Sequence, residues 1–319
     1  MKDYNNLTRL FSVVQYHYSV FFKKMRAYPP LVFWILYLFI SYQQVPSNIV
    51  QSYSASSMFL FFVMVWLSYT FFSDFDDVSE GLLLLQINNR FLHVAGKIIF
   101  LAVVCFFASA AGVVYPFILD MISRVIGSPF YPIGIRFSDF FGGLFLHFIV
   151  GTIGVSLAYL FHPIISGRRS NNAALVLALI IFAMLGVTKN QVFDMQGMIS
   201  YVLLIFPPIY EILSMFTRAE VFTAWDLGVA AIFGGIYFLV AVVLGFFWYD
   251  WREYGPLAAI VGESVSLPVT TEESEPLPEV KEDSEKLSAT TEDSELQAVT
   301  TEDAESVSET VVDSESSPE

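Results

Sequence analysis

The chain is almost without cysteine. Cys105 is the only one, so no intrachain disulfide can form. Set in an apolar run, it reads as a small core residue. Charge is also scarce: 15% of the 319 residues are charged and 55% are hydrophobic, whereas a soluble domain averages about 25% charged. The little charge there is divides unevenly. Residues 1–255 hold 13 acids and 14 Lys/Arg, a net of +1, while residues 256–319 hold 18 acids and 2 Lys, a net of −16. One compact soluble domain is thereby excluded. So is nucleic-acid binding, which needs a basic face.

Motifs of common chemistry are missing too. The single Gly-Lys pair, Gly96-Lys97, is followed by Ile98 and has no glycine five residues upstream, so there is no Walker A loop. No HExxH occurs, and the only Glu-Glu pair, Glu272-Glu273, lies in the acidic end. Ser156 and His147 share one apolar run but stand nine residues apart, about 13 Å along a helix, too far for a nucleophile and its base. His17, His93 and His162 fall at the ends of apolar runs, away from His147. No catalytic, cofactor-binding or metal-ligating set is therefore expected in this chain. No cleavable signal peptide is expected either, because the first 28 residues are polar and aromatic without a small-residue cleavage site.

What is present is a series of apolar runs. Six read as spans, at 30–46, 57–73, 96–119, 140–161, 173–188 and 223–249, against the roughly 20 residues a crossing helix needs. A further stretch, 197–216, is interrupted by Pro207-Pro208, which remove two backbone donors and bend any helix. It reads as a re-entrant outer hairpin or two half-helices, with a seventh kinked span as the alternative. Lys/Arg placement arbitrates. With the N-terminus inside, six spans put 12 basic residues inside and 4 outside, and seven spans give 10 and 6. The expected fold class is all-α: a polytopic membrane protein with six transmembrane helices over 29–254. An interfacial helix precedes them at 1–28, and a disordered acidic tail follows at 255–319. The expected location is a bacterial plasma membrane, multi-pass, with the N-terminus and tail cytoplasmic.

The N-terminal helix shows its amphipathic pattern in Leu7, Leu10, Phe11, Val14, Tyr18, Phe21, Phe22 and Met25. Between the second and third spans lies DFDDVSEGLLLLQINNRFLHVAGK, residues 74–97. Ser79-Glu80 suit a helix start, where acids complement the dipole. Leu82, Leu83, Leu84 and Leu85 make an apolar patch that needs a cover. Asn88-Asn89-Arg90 break it, Phe91, Leu92 and Val94 resume it, and Gly96-Lys97 meet the membrane edge. This order of acid, leucine run, polar break with Arg, Leu and Gly-Lys resembles the loop between spans two and three of type 2 ABC transporter permeases. That family also has an N-terminal interfacial helix, six spans and a broken apolar hairpin before the last span. The break here reads Gln86-Ile87-Asn88-Asn89, where many members carry a proline.

The resemblance covers about residues 1–250 and implies a permease subunit of an ATP-driven exporter. By that resemblance, residues near 79–92 form a coupling helix, with Glu80, Leu82, Leu83, Leu84, Leu85, Asn89 and Arg90 docking on a separate soluble ATPase. ATP and Mg would bind to that partner, not to this chain. A second permease chain, identical or not, would complete the path through the lipid. His147, Pro207, Pro208 and Glu211 are candidates for a path taken by a hydrophobic or amphipathic cargo such as a peptide, lipid-linked molecule or antimicrobial. From the residues alone, His147 reads first as a neutral histidine bonded to a neighbouring helix. Asp120 and Asp226 read as solvated groups near span ends. An ion-coupled transporter and a non-transporting immunity or sensor protein are the alternatives.

The acidic tail repeats every ten residues. Glu272, Glu282, Glu292 and Glu302 are in phase, as are Ser274, Ser284, Ser294 and Ser314, with Ala304 in the remaining place. Without aromatics and with dense like charge, it cannot bury enough surface to fold. It reads as a solubilising tail, or as a tether that reaches a basic partner.

Overall fold

The computed structural model describes residues 6–43, 48–73, 82–83, 85–87, 89–161, 172–192, 206–217 and 219–265; residues 6, 172–175, 189–192 and 248–265 are described as backbone only. The backbone divides into Met1–Leu267 and Pro268–Glu319. The second unit, with nearly all of the repeat tail, lies outside the described residues.

Among the described residues 87% are α-helical and none are in strands. The helices are α1 (Asn6–Phe21), α2 (Tyr28–Ser41), α3 (Ile49–Ser73), α4 (Arg90–Ile126), α5 (Phe137–Leu160), α6 (Asn172–Val192), α7 (Ile209–Thr217) and α8 (Ala224–Val265). Their ends follow from local chemistry. Pro29-Pro30 occupy the first turn of α2, where a missing N–H costs nothing. The Asn89 side chain accepts from the N–H of Leu92 at 3.2 Å and opens α4. Gly127 closes it at φ 85°, a left-handed cap that glycine adopts without a Cβ clash. The Asp139 carboxylate accepts from the N–H of Arg136 at the start of α5. Thr223 accepts from the N–H of Asp226 at the start of α8.

Four helices are long and apolar enough to cross a membrane: α3, α4, α5, and α8 over Ala224–Phe247. The apolar stretches Met25–Ser41 and Val176–Thr188 are shorter. α3 begins at 49 rather than 57, and α4 runs from 90 to 126 rather than from 96 to 119. α8 continues to Val265, past the expected boundary at 254, because the added residues 257–261 (LAAIV) are again apolar.

α3 and α5 form the centre. Of their apolar windows 61% and 67% is buried, against 17% for α8. Their close approach needs Gly154: a Cβ there would lie 2.7 Å from the backbone oxygen of Phe61. Small residues let helices meet at this distance where lipid offers no hydrophobic drive. The outward faces of α2, α4 and α8 carry exposed Ile35, Phe39, Phe107, Ile122, Ile236 and Leu244 among others. Apolar exposure on this scale fits lipid as the solvent.

The helix bundle has two distinct ends. At one, α1 lies across the start of α4 and the end of α3. His17 sits 5.5 Å from Phe71 and 6.0 Å from His93, ring centre to ring centre. The buried stripe of α1 is Val13, His17 and Phe21, while Leu7, Phe11, Tyr18 and Met25 point outward. At the other end, Gln51 donates to the Thr217 carbonyl at 2.9 Å and Asn48 to that of Ala219 at 3.2 Å. These bonds tie α7 and the chain after it to the start of α3.

Candidate functional site

A chain of polar groups enters the apolar interior from the α7 end. It begins in the turn between α4 and α5. Asp120 is 4% exposed. Its carboxylate accepts from Arg124 Nε at 2.8 Å and from the N–H of Tyr131 at 3.0 Å. Arg124 also donates to the Tyr131 carbonyl at 2.7 Å, so one ion pair clamps both backbone polar groups of Tyr131. Asp120 is therefore a buried structural group, not the solvated one its position near a span end suggested. The carboxylate is taken out of water while its partner Arg124 stays 42% exposed, and the ion pair together with the Tyr131 N–H offsets the cost of burying the acid.

The clamp places the Tyr131 ring inside. Its hydroxyl donates to Ser52 Oγ on α3 at 3.3 Å. Burial pushes the Tyr131 phenol well above its ordinary pKa, against a smaller opposing effect of the Ser52 hydrogen bond, so the group stays a neutral donor. One turn along α3, Ser56 Oγ lies 2.8 Å from His147 Nε2 and 3.5 Å from the Tyr42 hydroxyl. His147 Nδ1 lies 2.7 Å from the Gly143 carbonyl. A carbonyl can only accept, so Nδ1 carries the proton. In the neutral ring Nε2 is then an acceptor, and Ser56 donates to it. Tyr42 from the end of α2 in turn donates to Ser56. The result is a directed chain, Tyr42 to Ser56 to His147 to Gly143, that joins α2, α3 and α5.

The walls are aromatic. Trp34 and Tyr53 lie 6.4 Å and 5.7 Å from the His147 ring, and Trp34 Nε1 donates to the Ala108 carbonyl at 3.1 Å. Tyr53 is fully buried, and its hydroxyl has no hydrogen-bond partner among the described residues. It lies within electrostatic range of Tyr42, Tyr131, Asp139 and Asp120. Chemically, this arrangement can fix helices in register and hold a small polar guest. It sets one hydroxyl, Ser56, beside one base, His147, with a backbone carbonyl rather than a carboxylate on the far ring nitrogen. Among the described residues no three His, Cys, Asp or Glu side chains converge as a metal site.

The other sequence-derived candidates lie elsewhere. Pro207 is buried, and its ring stands 3.1 Å from where a Cβ on Gly186 of α6 would be. Pro208 gives its carbonyl to the N–H of Ile212 at 3.1 Å and so starts α7. Glu211 is half-buried in the first turn of α7. His147, in contrast, takes its partners from α3 and its own helix. Residues 197–205 fall outside the described residues, as do Glu80 and Leu84. Of the loop leucines, Leu82 and Leu85 are 59% and 78% exposed. Leu83 packs with Val13, Ile87 and Leu92. Asn89 caps α4, and Arg90 is half-buried at its first turn.

Sequence reading missed Ser52, Ser56, Tyr42, Tyr53 and Tyr131. A faint signal existed: Ser52, Ser54, Ser56 and Ser57 crowd into the six residues 52–57 just ahead of an apolar run. Comparison with protein families, curated proteins and solved structures gives no match to this chain.

Proposed function

We propose that the chain is the membrane permease subunit of an ATP-driven exporter of the type 2 ABC class. In this reading α2, α3, α4, α5, α6 and α8 are six spans, α1 lies in the inner interface, and the stretch around Pro207-Pro208 with α7 is the outer re-entrant element. The observation that carries the proposal is the segment 82–87. Its backbone is helical at 82–83 and 85–87. Leu83 and Ile87 anchor one face on Val13 of α1 and Leu92 of α4. Leu82 and Leu85, three residues apart and so on a common face, are bare. A short helix held from behind, with an apolar face turned away from the bundle, suits insertion into a groove on a soluble partner. That partner would bind ATP and Mg, and a second permease chain would face this one across the cargo path. The cargo class that fits is hydrophobic or amphipathic.

Replacing Leu82 and Leu85 by Asp tests the assignment. Both are exposed, so bundle stability should change by no more than about 0.5 kcal/mol. Stimulation of the partner's ATPase should be lost. Stimulation equal to wild type would refute the docking role. Ion-coupled transport is the second reading. It rests on the polar groups that run from the exposed Arg124 through buried Asp120 toward buried His147, and proton uptake by vesicles holding this chain alone would favour it.

A further inference from the structure

A cavity of about 600 Å³ lies between α1, α2 and α4. Its floor is Trp34 and Phe100, both nearly inaccessible, and its rim includes the exposed Phe11, Tyr18 and Phe107. The lining is apolar apart from Gln15 and the polar atoms of Tyr18 and Trp34, and the Trp34 N–H is already committed to Ala108. Nothing polar in the floor awaits a ligand, so the occupant must be apolar over most of its length.

Two observations say what it is. The groove follows α4 from Phe100 to Ala111. Eleven helical rises make about 16 Å, close to half of the roughly 30 Å hydrocarbon core of a bilayer. It therefore matches the depth of one leaflet, starting at the helix that lies across the bundle end and opening onto the same side as exposed Ile35 and Val103. The second observation is charge. Residues 6–27 contain Arg9, Lys23, Lys24 and Arg26 and no acid. Lys23 is exposed and directly follows Phe22, which lines the groove and lies 6.4 Å from Phe100. Cations thus stand at the shallow end only.

We infer that this groove is a binding site for an anionic phospholipid, with one acyl chain laid along α4 over Trp34 and the headgroup held at the Lys23 end of α1. Cations at the interface attract anionic lipid, and the apolar channel supplies the selectivity for a chain of leaflet length. The inference needs only a membrane-embedded chain and is independent of the transport reading.

The test is native mass spectrometry of the full chain, delipidated in mild detergent and titrated with dioleoylphosphatidylglycerol or dioleoylphosphatidylcholine. Wild type should hold one phosphatidylglycerol per chain in preference to phosphatidylcholine. Lys23→Gln should weaken that binding about fivefold, the worth of one interfacial cation. Val103→Trp, on the exposed face of α4, should fill the groove and abolish retention of both lipids. Equal retention of the two lipids by wild type, or unchanged retention by a folded Val103→Trp variant, would overturn the inference. A dimer that Val103→Trp dissolves, without any lipid preference, would show that a second copy occupies the groove and would overturn it as well. Should Val103→Trp fail to fold, the wild-type preference and the Lys23→Gln shift still decide.

Discussion

Ser56→Ala removes the side-chain donor to His147 Nε2 and leaves that nitrogen buried with no other donor among the described residues. A buried acceptor deprived of its partner costs about 1–3 kcal/mol. The bond itself is worth less, since hydrogen bonds between membrane helices average about 0.6 kcal/mol with a maximum near 1.7. The two magnitudes predict different behaviour for different variants. Ser56→Ala alone should destabilise by about 1–3 kcal/mol, because the histidine stays behind. His147→Phe alone should cost less, because the freed Ser56 hydroxyl can turn to the Ser52 carbonyl, 3.0 Å away, and the Gly143 carbonyl loses only its side-chain donor. The double variant keeps the ring shape and removes both ends of the Ser56 bond, so it should lie closer to wild type than the sum of the singles, with a coupling of about 0.6–1.7 kcal/mol. Reversible unfolding in mixed micelles, read by tryptophan fluorescence, measures all four corners of the cycle. Strict additivity, with Ser56→Ala within about 0.3 kcal/mol of wild type, would refute the directed chain and the tautomer assigned to His147.

Other expectations follow from the same geometry. Asp120→Ala removes the acceptor shared by Arg124 and the Tyr131 N–H. It should free the 127–136 turn, giving faster amide exchange at Tyr131 while α3 and α5 stay protected; unchanged exchange there would contradict the clamp. Gly154→Leu drives a side chain against the Phe61 backbone, which cannot move aside as a flexible side chain could. It should cost at least about 1–3 kcal/mol and reduce the yield of folded protein, whereas Gly228→Leu, with open space around it, should not. Cys105 is fully buried. A membrane-permeant maleimide should therefore leave the folded chain unlabelled and label one thiol per chain in denaturant.

Much of the helical frame is visible in the sequence, because long apolar runs between charged punctuation admit few alternatives. The residues that were illegible share a cause. Hydropathy counts Ser52, Ser54, Ser56 and Ser57 against a span, yet Ser57 donates back to the Ser54 carbonyl and Ser56 donates to His147, so both cost little inside a helix. That is why α3 starts eight residues before its apparent beginning. Asp120 looked solvated because the Tyr131 N–H meets it only after the chain has turned, although Arg124 is its i+4 neighbour on α4. On α1 the stripe read from spacing runs through Leu7, Phe11 and Tyr18, which face out, whereas the buried stripe is Val13, His17 and Phe21. His17 packs there against Phe71, Phe100 and His93, a position that hydropathy assigns to an apolar residue. The exposed faces of Leu82 and Leu85 were legible as a patch lacking a cover, and the identity of that cover rests on a resemblance.

The central claim is therefore tested most directly by isolating the full tagged chain from its native host in mild detergent and identifying what accompanies it. The account predicts a soluble subunit bearing a Walker A motif, in stoichiometric amount, released when Leu82 and Leu85 are both replaced by Asp. A chain that emerges alone across several detergents and salt concentrations would contradict it.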